Sequence, residues 1–283
     1  MHPIDPAWLE SQYNNRARIP EHPQLFERWR AASAAARAGL DSRLDQAYGE
    51  AASQRLDVFP APQAGAPVLV FLHGGYWRSL DKADHSFLAP ALVSAGASVV
   101  VPNYSLCPAV GIADIALEMV QAVAWVWRHA PTWGGDPSRI ALIGHSAGAH
   151  LAAMLLCCRW SQVAADLPAQ PLRGALGISG LYELEPLRHT PFLAADLGLS
   201  EREAHRLSPA FYPRPRRPFY AVAGGDESEE FLRQNLLIRE QWGPTAVPVC
   251  ETLSGHHHLD ILHDLANPRG RLCDLALRLV DLH

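Results

Sequence analysis

Gly144-His145-Ser146-Ala147-Gly148 stands between an apolar run, RIALI at 139–143, and a helix-forming stretch, AGAHLAAMLLCC at 147–158. A serine on a sharp strand-to-helix turn has its hydroxyl pushed out over the sheet edge, and the N-terminus of the following helix adds positive potential there. Such a turn brings its backbone against neighbouring chain, so it needs small residues on both sides of the serine. This is the setting of a nucleophile for acyl transfer. A glycine-rich turn without chemistry is the plainer alternative, and it is disfavoured because complementary groups occur in order along the chain. The first is His73-Gly74-Gly75-Tyr76-Trp77, directly after the apolar run PVLVFL at 67–72. Two glycines let backbone N–H groups converge on one point, which a developing oxyanion requires. Gly75 and Tyr76 are assigned as donors with Gly74 as their hinge, and Ala147, following the nucleophile, supplies a further N–H. His73 itself reads as a structural hydrogen-bonder.

Of the 14 histidines, position singles out His256-His257-His258, which follow the last expected strand. A base downstream of both serine and acid fits the chain order Ser–acid–His, and His258 fits that place. Three consecutive histidines point in different directions, so a shared metal ion is disfavoured and no metal or cofactor is expected. His145 is adjacent to Ser146, but neighbours on a sharp turn diverge. For the acid, Asp226 ends FYAVAGGDE and is preferred as the shorter carboxylate directly after Gly-Gly. Glu227 beside it and Glu183 after the preceding strand are the competitors. In the resulting cycle His258 takes the Ser146 proton, Asp226 holds the imidazole tautomer, and an acyl-serine is then hydrolysed.

These groups need a scaffold of alternating strands and helices. Short apolar runs at 54–58, 67–72, 97–102, 139–143, 173–178, 217–223 and 247–253 read as strands of a mainly parallel sheet. Between them Ile112, Ile115, Met119, Val123 and Val126 or Trp127 form a helical stripe, as do Leu151, Met154, Leu155 and Cys158. Leu25, Trp29, Ala32, Ala36 and Leu40 mark an amphipathic helix over 24–40 that packs on the core. The proline-rich 208–218 cannot be helix interior and reads as a surface loop entering a strand. One domain over 1–283 is expected, with a helical arm at 1–50 and a catalytic core at 54–283.

Composition narrows the class. The net charge of -5 lacks the basic stripe of a nucleic-acid binder, and 48% hydrophobic residues with 19% charged is ordinary for a globular chain. The opening MHPIDPAWLESQ has no signal-peptide pattern, and no apolar run approaches the roughly 18 residues of a membrane helix. A cytoplasmic enzyme is expected. The cysteines, at 107, 157, 158, 250 and 273, are an odd number and read as buried thiols. The partner expected is a small-molecule acyl ester or formamide, with no nucleic acid, no membrane and a homodimer admitted.

HGGYW at 73–77 and GHSAGAHL at 144–151 resemble the kynurenine formamidase (arylformamidase) group of α/β-hydrolase-fold serine hydrolases, related to the hormone-sensitive-lipase-like esterases. YNNRARIP at 13–20, PNYSLCP at 102–108, ISGLYELEPL at 178–187 and GGDESEEFLRQ at 224–234 extend the likeness over nearly the whole chain. The resemblance implies an α/β-hydrolase fold, Ser146 as nucleophile, Asp226 as acid, a histidine of 256–258 as base, and the HGGYW backbone as oxyanion hole. It implies hydrolysis of N-formylkynurenine to kynurenine and formate. A general carboxylesterase for short-chain esters is the alternative, because a site built for an aryl amide also cleaves activated esters, and a noncatalytic binding protein of the same fold is a third reading. That group commonly has Asn-His-Phe where this chain has His257-His258-Leu259, which aligns His258 with the base. Tyr76, Trp77, Phe211 and Tyr212 are the aromatic residues expected to frame the leaving group, with Tyr76 and Trp77 crowding the acyl side toward formyl or acetyl.

Overall fold

A computed structural model of the chain describes residues 5–282, so residues 1–4 of the expected arm lie outside the described residues. The strands are β1 (Arg43–Ala47), β2 (Arg55–Phe59), β3 (Ala66–Leu72), β4 (Ser98–Pro102), β5 (Gly135–His145), β6 (Leu172–Ile178), β7 (Phe219–Gly224) and β8 (Val249–Leu253). They form one eight-stranded sheet in the order β1-β2-β4-β3-β5-β6-β7-β8. β2 is antiparallel to both β1 and β4, and every other pair is parallel. A parallel strand covered on both faces must be apolar on both faces. β3 meets this in full: Val68, Val70 and Leu72 enter one core, and Leu69 and Phe71 enter the other.

Helices α1 (Pro6–Tyr13), α2 (Asn15–Arg18) and α3 (His22–Gly39) precede the sheet; α4 (Ala89–Ser94) and α5 (Ile112–His129) flank β4; α6 (Ala147–Leu156) leaves β5. Between β6 and β7 lie α7 (Glu185–Arg188), α8 (Pro191–Leu197) and α9 (Glu201–Arg206). Helix α10 (Glu229–Ala246) joins β7 to β8, and α11 (Ile261–Ala266) and α12 (Arg271–Arg278) close the chain. Residues of α1, α5, α6 and α10 line the first core, and residues of α3, α4, α11 and α12 line the second. The α5 stripe is buried at Ile112, Ile115, Met119, Val123 and Val126, with Trp127 only partly covered. In α3, Leu25, Trp29 and Ala36 are buried, but Ala32 is exposed and Ser33 takes the inward place, its Oγ accepting from the Phe87 N–H at 3.1 Å.

Two elements differ from expectation. β1 is an added edge strand inside the stretch read as helical arm. Its residues, RLDQA, carry no buried face, so no apolar alternation announces it. It is held by tertiary polar contacts instead: the Asp45 N–H donates to Asp57 at 2.9 Å, and Lys82 Nζ lies 2.8 Å from both Asp45 and Asp57. The 208–218 stretch is not wholly a surface loop, because Pro209 and Ala210 are buried and the Pro209 carbonyl accepts from Trp242 Nε1 at 3.1 Å.

Register decides where the loops meet. Leu72 of β3 pairs with Gly144 of β5, so the HGGYW loop leaves the sheet beside Ser146. Gly224 of β7 pairs with Leu253 of β8, so residues 225–227 and 254–258 leave side by side from the same edge. In open α/β sheets this carboxyl edge is where sites form.

Candidate active site

Ser146 sits at φ 56° and ψ −118°, a conformation L-residues rarely adopt, with its N–H donating to the Ile178 carbonyl at 2.8 Å. A non-glycine residue held there stores about 1–3 kcal/mol of strain, which the surrounding packing must offset. The flanking glycines make that packing feasible. A Cβ on Gly148 would lie 2.0 Å from the Leu72 carbonyl oxygen, and one on Gly144 would lie 2.2 Å from the Gly148 carbonyl oxygen. Helix α6 starts at the next residue, Ala147, and so directs its first N–H groups toward the serine.

The second structural turn is equally constrained. Gly75 has φ 109°, and Tyr76 and Trp77 follow at 51° and 56°, so three successive residues take left-handed values. Among the described residues no hydrogen bond occupies the Gly75 or Tyr76 N–H. Both residues line a pocket of about 300 Å³ together with Ser146 and His258. Gly74 is packed against the Ser146 turn, its pro-Cβ position 3.1 Å from Ser146 Cβ, and its carbonyl accepts from His73 Nδ1 at 2.8 Å. His73 is thereby a fully buried structural residue, stacked on Tyr104 with ring centroids 4.2 Å apart.

The carboxylate at the histidine is Glu227, which corrects the expectation of Asp226. His258 Nδ1 donates to Glu227 Oε2 at 2.7 Å, and neither side chain is more than 5% exposed. Glu227 Oε1 accepts from the Gly224 N–H at 2.7 Å and from the Ser179 hydroxyl. Asp226 is exposed, and its N–H is committed to the His256 carbonyl at 3.0 Å. Successive residues leaving a tight turn point to opposite sides. Here the inward side falls to the second residue, whose extra methylene spans the gap. The other competitor, Glu183, is paired with Arg233 at 2.7 Å.

The three-histidine loop is sorted by its partners. His257 accepts from the Leu259 and Asp260 N–H groups at 3.1 and 3.2 Å, and its Nε2 lies 3.4 Å from Asp260. His256 Nδ1 lies 3.5 Å from the same carboxylate. Only His258 turns inward. His145, buried beneath it, donates from Nε2 to the His258 carbonyl at 2.8 Å, with the two rings 4.8 Å apart. Burial first, and His258 second, hold the His145 pKa well below its ordinary value, so it stays a neutral prop for the His258 backbone.

A sequence model described as BD-FAE matches residues 56–163. Kynurenine formamidase of Danio rerio is 31% identical over 256 residues, covering 87% of this chain and 84% of the relative. Kynurenine formamidase of Salmo salar is 35% identical, with the same coverage of 87% and 84%. The chain belongs to the kynurenine formamidase family. It is a hydrolase of arylformamidase or carboxylesterase type with an α/β-hydrolase fold. A crystal structure of a candidate thioesterase from a Silicibacter species superposes with TM-score 0.85 at 30% identity over 95% of this chain and 98% of that one. A thermostable carboxylesterase from a metagenomic library shares the fold at TM-score 0.71 and 20% identity, covering 91% of this chain and 94% of its own.

In this member of the family the aromatic walls are not those expected, apart from Tyr76. Trp77 is fully buried, edge-on to His150 with centroids 4.9 Å apart, and belongs to the core. Phe211 is 42% exposed and stacks on His205, while Tyr212 donates to the Arg206 carbonyl at 2.7 Å; neither lines the pocket. Phe26 and Trp29 of α3 and Phe192 of α8 line it instead. The arm thus supplies a wall of the site, a role that an amphipathic pattern cannot distinguish from ordinary core packing. The Ser179 contact to Glu227 was likewise missed; its one signal is a polar residue ending the apolar run of β6. Among the described residues no group of three or more His, Cys, Asp or Glu could hold a metal ion, and no helix is long and apolar enough to cross a membrane.

Proposed function

We propose that this chain removes the formyl group from an aryl formamide of the N-formylkynurenine type, by acyl transfer through Ser146. The observation that carries this reading is the buried 2.7 Å contact of Glu227 with His258, a histidine that shares its pocket with a serine on a strained turn. The likeness to two kynurenine formamidases over 87% of the chain supports the choice of substrate. Donation of the His258 Nδ1 hydrogen to Glu227 leaves Nε2 as the basic nitrogen, the tautomer that can accept a hydroxyl proton. Nε2 takes the Ser146 proton as Oγ attacks the formyl carbon. The oxyanion meets the N–H groups of Gly75, Tyr76 and Ala147. An aniline is a poor anionic leaving group, so His258 returns that proton to nitrogen as the C–N bond breaks. Water then attacks the formyl-serine, His258 takes its proton, and formate leaves as Ser146 recovers its hydrogen.

The free state of all five cysteines supports a reducing, cytoplasmic setting. The test is the rate on N-formylkynurenine beside matched aryl formate, acetate and butyrate. The expected order is formyl, then acetyl, then butyryl, with about 1–3 kcal/mol lost for each methylene that does not fit. Ser146→Ala is expected to lower every rate by about 10⁴-fold or more in a folded protein. Preference for butyryl without turnover of any formanilide would favour the short-chain carboxylesterase reading.

A further inference from the structure

The Ser146 pocket is lined by two arginines, Arg16 and Arg78, and by no aspartate or glutamate. The two cations are not equivalent. Arg78 is ion-paired with Asp196 and lies over the Phe192 ring, 5.3 Å from its centroid. Arg16 lies over the Phe26 ring at 5.7 Å, and its hydrogen bond, at 3.3 Å, goes to the neutral Ser79 hydroxyl. Among the described residues no ion pair neutralises Arg16. Next to it Asn15 is 7% exposed, lines the same pocket, and its side-chain nitrogen has no hydrogen-bond partner. A buried amide donor left unpaired costs free energy unless a ligand or water meets it.

We propose that Asn15 and Arg16 form a receptor for a carboxylate on the leaving-group side of the substrate. This deepens the arylformamidase reading and rests on it, since an amino-acid-bearing aryl formamide carries such a carboxylate while a simple formanilide or aryl acetate does not. A guanidinium with an adjacent amide donor offers several N–H groups to the two oxygens of one carboxylate. Two features fix the pair in place. The Asn14 side chain caps α2 by accepting from the Ala17 N–H at 3.1 Å, and the phenyl face of Phe26 holds the guanidinium plane. Partial burial, and then Arg78, lower the Arg16 pKa, and a ligand carboxylate would offset the repulsion from Arg78.

The test is the ratio of kcat/KM for a substrate bearing a free carboxylate to that for its counterpart without one, read on two pairs. One pair is N-formylkynurenine and its methyl ester; the other is an aryl acetate with and without a carboxymethyl group on the ring. The wild-type protein is expected to favour the carboxylate-bearing member of each pair. In Arg16→Gln the ratio should fall about tenfold through KM, and in Arg16→Lys it should recover in part. Added salt should lower the wild-type ratio, because Arg16 as a residue remains largely solvent-accessible. Absence of a wild-type preference, or an Arg16→Gln ratio equal to wild type, overturns the proposal. The ester pair separates the two readings: without formanilide turnover the substrate assignment fails, while the ratio on acetates still decides the receptor.

Discussion

Glu227 carries two loads at once, and substitution can tell them apart. One oxygen orients His258 at 2.7 Å, and the other accepts from Gly224 and Ser179, tying β7 to β6. Replacing it with glutamine offers an N–H where an acceptor is needed and stabilises the wrong imidazole tautomer. We expect Glu227→Gln to lower kcat by about 10³–10⁴-fold with a folded protein, and Asp226→Asn to stay within about threefold of wild type. Steady-state rates on one activated ester suffice, and a severe Asp226→Asn defect would return the role to that residue. The sequence preferred Asp226, with Glu227 and Glu183 as competitors, so it found the loop but chose the other of two neighbours. Which of two neighbours faces inward depends on the φ and ψ of a turn, and Gly-Gly leaves those angles open. The Ser146 turn carried no such ambiguity, since small residues on both sides of a serine at a strand-helix junction mark a sharp turn, and the backbone there is of that kind.

At the scale of elements, β3, β5 and α6 meet at the Ser146 turn with no room for a methyl group. Alanine at 148 would place Cβ 2.0 Å from the Leu72 carbonyl and 2.7 Å from the His73 carbonyl. Neither is a flexible side-chain end, so the end of β3 must move and take the 73–77 loop with it. Gly148→Ala is therefore expected to cost about 3 kcal/mol or more in a denaturant titration, at the upper end of overpacking effects, and to lose activity even where it folds. Wild-type stability in that variant would refute the packing account. The long apolar runs forecast most of the sheet correctly because a doubly covered strand has no other composition open to it. β1 escaped because an edge strand held by Lys82 between Asp45 and Asp57 needs no apolar face. The wall-lining role of α3 escaped because a tryptophan that borders a pocket and one that fills a core share the same helical spacing.

Over the whole molecule, four fully buried histidines couple stability to pH. Burial lowers His73, takes His85 to about 3 and His150 to about 4, and holds His145 well below its ordinary value. In the folded chain they stay neutral while the unfolded chain binds protons below about pH 6.5. Stability is then complete above that value and falls as pH drops through it, by up to about 1.4 kcal/mol per pH unit for each histidine. Denaturant midpoints should decrease between about pH 7.5 and 5.5 at constant m, and a flat profile would contradict the assignment. The architecture also separates two kinds of heredity. Residues 14–29 border the pocket through Asn14, Asn15, Arg16, Phe26 and Trp29, yet the groups proposed to carry the reaction lie far along the chain, at positions 146, 227 and 258. Diversifying that leading segment in a mutant library would redraw what the enzyme accepts while the reaction itself passes unchanged from parent to progeny.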